Sequence, residues 1–107
     1  MRAAAETDFT IPLPEVGDFV FARRTMGDMI KIRSDYLKLI GTNDGDYEMD
    51  LFCGFTAAYN TLIVSHPESW TSDLSALDVN AVGMDKVFEL SNLLYAKESS
   101  FRRVAEV

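Results

Sequence analysis

The residues in this chain able to do chemistry are few, and their spacing assembles no familiar reaction centre. His66 is the only histidine, set in "SHPESW" with Ser65 and Ser69 beside it and Asp73 a little further on. A serine, a histidine and an aspartate could form a hydrolytic triad on paper. Such a triad needs a sharp turn presenting the nucleophile and glycine-rich backbone donors for the oxyanion, and no such sequence surrounds these residues. One histidine excludes any two-histidine metal site, and there is no His/Cys cluster at ligand spacing. The single cysteine, Cys53, cannot form an internal disulfide, and in "LFCGF" it behaves as a small core hydrophobe. The loop "TNDGD" superficially suggests calcium, but an EF-hand register about Gly45 would place Ile40 at the first ligand position and Leu51 where the bidentate glutamate belongs. No G-x-G-x-x-G and no P-loop is present. The expectation is a non-enzymatic protein with no cofactor and no metal.

Residues suited to gripping a protein partner are easier to find. Arg23-Arg24 and Arg102-Arg103 account for four of the six arginines, and each pair lies at an element boundary. Phe101 precedes the second pair, and Trp70 follows "HPES". Trp and Arg are enriched among interface hot spots, so Arg23, Arg24, Trp70, Phe101, Arg102 and Arg103 are the candidate protein-interaction residues. Each has a plainer reading. Trp70 can plug the base of a helical core, Phe101 can dock back on its own domain, and the arginines can neutralise surface acids at little energetic gain. Pairing of Arg23-Arg24 with the acids of residues 41–80, in this chain or a neighbouring subunit, is the expected arrangement.

Charge narrows the partners. The net charge is −7, and its distribution is uneven. Residues 1–40 carry six acids and six bases and residues 81–107 four of each, so the whole excess of seven acids falls in residues 41–80, which contain no Lys or Arg. A nucleic-acid binder needs a contiguous basic face, and DNA or RNA is therefore not an expected partner. The acidic third can hold a basic partner or simply solvate the chain. No segment approaches the roughly 18 consecutive apolar residues of a membrane span. The opening "MRAAAETD" lacks the apolar stretch of a signal peptide, which makes a cytoplasmic location the default.

The elements that must position these residues follow from periodicity. At 107 residues the chain suits one domain. Residues 1–8 read as a flexible N-terminal tail, 9–103 as the globular domain and 104–107 as a C-terminal tail. "FTIPL" alternates, with Phe9, Ile11 and Leu13 on one face, and Pro12 confines it to a sheet edge or end. "PEVGD" supplies a turn with Gly17 free to take positive φ, and "FVFARR" returns. Thr25 with Asp28 makes a capping box for a helix whose apolar stripe is Met26, Met29, Ile30, Tyr36, Leu37 and Ile40, with Arg33 on the same face and Gly41 at its end. Residues 46–64 read as a central helix ended through Pro67. A polar connection anchored by Leu74 and Leu77 leads to a last helix from Val82, with Val87, Leu90 and Leu94 inward. The expected fold is α+β, mostly helical: an N-terminal β-hairpin followed by three main α-helices.

Three stretches, "FTIPLPEVGDFVFARRTMGDMIKIRSDY", "LIVSHPESW" and "YAKESSFRR", together resemble the tail assembly chaperones of long-tailed phages and prophages across residues 9–103. The resemblance implies a mostly helical, non-enzymatic protein that coats the tape measure protein, keeps it soluble and helps recruit major tail protein subunits. It further implies a short form and a frameshifted longer form, action in the cytoplasm of the bacterial host, and absence from the mature virion. It carries no catalytic residues and assigns no binding residue to a position in this chain. An edge strand and sticky termini would suit a homo-oligomer along the tape measure. The alternative is a structural virion component, a tail or head–tail connector subunit; an interaction module unrelated to phage is a third class.

Overall fold

The β-hairpin forms where alternation and turn chemistry coincide. In a computed structural model describing residues 1–42 and 45–105, with the side chains of 103–105 excepted, β1 is Phe9–Leu13 and β2 is Gly17–Phe21. Asn43 and Asp44 of the turn-rich loop, the Arg103 side chain and the last two residues of the expected C-terminal tail lie outside the described residues. The strands are antiparallel, pairing Phe9 with Phe21 and Ile11 with Phe19, which places every apolar residue of the alternation on one buried face. Val16 N–H donates to the Leu13 carbonyl at 3.1 Å, and Glu15 takes a φ of 69° after Pro14, the signature of a type II turn. Lys86 Nζ donates to the Pro14 carbonyl at 3.1 Å and so holds that turn. Gly17 has a φ of 140°, and a Cβ there would lie 3.0 Å from Pro67 Cγ, so the second strand can start only at glycine.

A third strand replaces the end of the expected central helix. Helix α2, Tyr47–Leu62, starts at the Asp46 N-cap and stops at Leu62, and Ile63–Ser65 forms β3 against β2 in a sheet ordered β1-β2-β3. Backbone competition explains the difference. Ile63 and Val64 are β-branched, and the open edge of β2 offers ladder partners that another helical turn would forfeit. The ladder is extended by Ala22 N–H, which donates to the Leu62 carbonyl at 2.9 Å. Pro67 therefore terminates the strand rather than the helix. Pro12 stays on the outer strand, where its missing N–H leaves no gap in the ladder.

Helix α1, Met26–Ile40, begins with the expected capping box: Asp28 N–H donates to Thr25 Oγ1 at 3.1 Å, and Thr25 N–H donates to the Asp28 carboxylate at 2.9 Å. Gly41 closes it with positive φ. A 3₁₀ turn at Leu74–Ala76 is latched by Asn60, which accepts from Leu74 N–H at 2.7 Å and donates to Asp73 at 2.9 Å. The last helical region is divided. Asp78 caps a single turn, α3 (Val79–Val82); Gly83, with a φ of 92°, breaks the path, and α4 runs from Met84 to Ala105. Residues 104 and 105 thus continue a helix where a tail was expected. At the other end, Arg2 lies against the domain: its guanidinium pairs with Asp28 at 2.8 Å and reaches the Thr61 carbonyl at 3.3 Å.

The core sits between the sheet, α2 and α4. Phe19, Phe21, Tyr59, Leu62, Ile63 and Leu90 are fully buried, and Val87 and Leu94 join them from α4 as their spacing predicts. Tyr59 meets the rings of Phe21 at 5.8 Å, Phe55 at 6.1 Å, Trp70 at 6.3 Å and Phe19 at 6.4 Å between centroids. Its hydroxyl donates to the Thr71 carbonyl at 2.7 Å, and burial pushes the phenol far above its ordinary value, so it remains a donor.

Tyr59→Phe is expected to cost about 1–2 kcal/mol, because the Thr71 carbonyl loses its partner. Tyr59→Ala is expected to cost about 4 kcal/mol or more through the cavity it opens; urea unfolding with an unchanged slope measures both. Burial would raise the Asp28 carboxyl, yet bonds from Arg2 and Thr25 hold it below its ordinary 3.8. A carboxyl lowered in the folded state contributes stability above its unfolded value and loses it as pH falls through the folded value. Asp28→Asn is therefore expected to be less stable at neutral pH and to lose less stability than the parent below about pH 4 in acid-unfolding curves.

Candidate functional site

The stretch between β2 and α1, residues 22–25, must turn the chain out of the sheet and into a helix. Its two arginines reach across to the C-terminal half of α4. Arg24 grips Glu98 with both arms of its fork, Nε to Oε2 at 3.1 Å and Nη2 to Oε1 at 3.0 Å. Arg23 lies over the ring of Phe101, 3.9 Å from its centroid. Phe101 in turn sets its edge against Phe9 at 5.1 Å, so it is sandwiched between the first strand and a guanidinium. The arginines' partners therefore come from α4 and not from the acids of residues 41–80. The reason is reach: the chain leaves β2 beside the last turns of α4, which closes over β1.

Arg24 stands at the middle of a trough. Adjoining hollows of about 380, 260 and 380 Å³, each lined in part by Arg24, run between α1 and α4 over α2. Met29, Ile32, Phe55, Leu94 and Tyr95 give the trough its apolar surface. Gly54 lies on its floor, in helical backbone, and a Cβ added there would meet nothing within 4 Å. Arg23, Arg33 and Arg102 rim it along with Arg24, and Asp50 and Glu98 are its carboxylates. Asp50 accepts a hydrogen bond from the Tyr36 hydroxyl, an interaction that raises the phenol's pKa and ties α1 to α2.

Beside the trough, α1 exposes its apolar stripe. Met26 is 72% exposed, Ile30 66%, Met29 53% and Leu37 53%. This divides the expected stripe: Met26, Met29, Ile30 and Leu37 face outward, and of its members only Tyr36 and Ile40 turn inward. The side that packs on α2 carries Asp28, Ile32, Tyr36 and Ile40, which are buried or half-buried. The signal available in the sequence was Arg33, a cation in the middle of a supposed core stripe, half-stacked on Tyr36 at 5.4 Å. Tyr95, 70% exposed, and the open Gly54 carried no signal at all, since their role depends on which elements lie opposite.

The other sequence-predicted residues fall in distinct places. Trp70 is 3% exposed and edge-on to Phe19 at 4.8 Å, so it presents no surface to a partner. Arg102 is exposed on α4, where it donates to Ser99 Oγ at 3.1 Å, and it lines the trough. The Arg103 side chain lies outside the described residues. His66 Nδ1 bonds the Pro67 carbonyl at 2.8 Å, while Asp73 is occupied by Asn60 and Ser75, so the paper triad does not assemble. Cys53 is buried, and burial followed by the Asp50 charge pushes its thiol pKa up, away from a nucleophile's range. Among the described residues no group of three His, Cys, Asp or Glu could hold a metal ion, and no helix is long and apolar enough to cross a membrane.

No protein-family model, curated protein or solved structure matches the chain. The trough and its neighbouring stripe are thus read from their own chemistry. What they offer is apolar area with charged edges, the composition of a docking surface.

The Arg24–Glu98 pair is half-sheltered, so its rupture is expected to be measurable. Arg24→Glu sets two carboxylates face to face and is expected to cost about 1 kcal/mol. The exchange variant Arg24→Glu with Glu98→Arg is expected to recover at least half of that, and a double-mutant cycle in urea measures the coupling.

Proposed function

We propose that this chain is a non-enzymatic tail assembly chaperone of the long-tailed phage type. It holds an amphipathic helix of a tape measure protein along α1 and the trough, keeps it soluble, and helps recruit major tail protein. It acts in the cytoplasm of the bacterial host and leaves before the virion is complete. The observation that carries the reading is the uncovered stripe of Met26, Met29, Ile30 and Leu37 beside an apolar trough. Small proteins rarely leave contiguous apolar surface to water without a partner for it. A linear stripe next to a helix-wide hollow fits the helix-in-groove mode, in which a partner lays one apolar face into the groove. Methionines at positions 26 and 29 suit a surface that must adapt to successive segments of a long helix. The sequence resemblance supplies the identity of that helix.

Co-expression with the tape measure protein encoded alongside tests the reading. The parent chain is expected to raise that protein's soluble fraction and to co-purify with it. Met26→Ser with Ile30→Ser is expected to change stability by no more than about 0.5 kcal/mol, because both residues are exposed. Gly54→Leu is expected to be at least as stable as the parent, since glycine inside a helix costs about 1 kcal/mol relative to better helix formers. Both variants are expected to lose the co-purification. Absence of any effect by the parent, together with the chain's presence in purified virions by mass spectrometry, would replace the chaperone with a virion component.

A further inference from the structure

We infer that the trough selects a helix whose apolar stripe is flanked by acidic residues, from a different protein rather than a second copy of this chain. The inference rests on the docking role proposed above and adds the chemistry of the occupant. Four arginines, Arg23, Arg24, Arg33 and Arg102, line the trough against two carboxylates, Asp50 and Glu98. That is a local excess of two positive charges in a chain whose net charge is −7. The carboxylates are already engaged: Glu98 accepts both arms of Arg24, and Asp50 accepts the Tyr36 hydroxyl. Arg33 and Arg102, by contrast, meet no carboxylate among the described residues.

The exposed side of α1 repeats the pattern. It carries Lys31, Arg33 and Lys38, while Asp35 pairs with Lys31 at 2.6 Å and Asp28 turns inward to Arg2. The apolar stripe therefore has Arg33 within it, the trough's arginines along one side and Lys38 beyond the other, with the carboxylates of α1 consumed within the chain. A partner with apolar or basic edges would desolvate these cations without compensating them. A second copy packed through the same face would set one cation-rich patch against another, since a two-fold interface joins a patch to itself. An acidic-flanked helix satisfies both the stripe and its border. Helix α1 has 15 residues and runs about 22 Å, so a partner segment of about four turns covers it. A nucleic acid or an anionic bilayer also carries negative charge, but the apolar stripe offers nothing to phosphates, and the remainder of this acidic chain repels an extended anionic surface.

Three amphipathic peptides of about 20 residues separate the outcomes, all with one leucine stripe and with flanking positions filled by Glu, Gln or Lys. Their binding to the full chain is measured by fluorescence anisotropy at low and at physiological salt. The Glu-flanked peptide is expected to bind about tenfold tighter than the Gln-flanked one and the Lys-flanked peptide weakest, with the spread shrinking as salt rises. Arg33→Glu with Arg102→Glu, both exposed, is expected to reverse the order, and Gly54→Leu to weaken all three. Equal binding of the three peptides, still blocked by Gly54→Leu, would overturn the charge selection and leave the docking role standing. Binding of none would overturn both. A dimer lost on Met26→Ser with Ile30→Ser would assign the face to a second copy, and tighter binding to phosphatidylglycerol vesicles than to the Glu-flanked peptide would assign it to a membrane surface; either result overturns the inference.

Discussion

The fold depends on Tyr59. Its ring is the common neighbour of Phe19, Phe21, Phe55 and Trp70, so strands, central helix and the loop after β3 all converge on one side chain. Its hydroxyl is the reason the loop returns. A buried phenol needs an acceptor, and the Thr71 carbonyl is brought to it only if residues 66–71 fold back over the sheet. That return carries Trp70 into the core and Pro67 onto Gly17. The turn, the third strand and the Trp70 loop are one linked arrangement.

The same arrangement explains why α1 is left with apolar surface. The sheet has one buried face, and α4 and the aromatic cluster fill it. Helix α1 packs on α2 instead, through a face tied by the Tyr36–Asp50 hydrogen bond and anchored at its start by the Arg2–Asp28 pair. Both ties lie on the side away from Met26 and Ile30. Two polar constraints thus set the rotation of the helix, and its more apolar stripe has no interior left to enter. Arg23 and Arg24 then bind the far wall of the trough to the near one through Phe101 and Glu98. They are structural clasps as well as rim charges.

Charge is sorted in space more than in sequence. The middle third of the chain holds every excess acid, yet the arginines of residues 22–25 face α4, which lies in the charge-balanced stretch 81–107. Three of the seven acids of the middle third cap helices and turns: Asp46 for α2, Asp73 for the 3₁₀ turn and Asp78 for α3. Each binds backbone N–H groups at an element start, where partial positive charge favours a carboxylate. These three carboxylates face backbone donors rather than the trough.

Local signals determined much of this protein by themselves. Alternation placed Phe9, Ile11 and Leu13 inward, Pro12 predicted an edge strand, Thr25 and Asp28 predicted a helix start, and Val87, Leu90 and Leu94 predicted the buried side of the last helix. Each of these follows from contacts within a few residues or from a period of two or 3.6. For Trp70 the sequence offered both core and interface, and the return of residues 66–71 over the sheet decided for the core. Two features were legible only in three dimensions. Ile63–Ser65 became a strand because β2 had an open edge. The stripe of α1 became surface because the competing face carried the polar ties to Asp50 and Arg2. The candidate site shares that origin: its arginines were visible in the sequence, but its apolar walls were not. A periodic apolar stripe specifies that a face seeks cover, and only the packing of distant elements decides whether the chain itself supplies it.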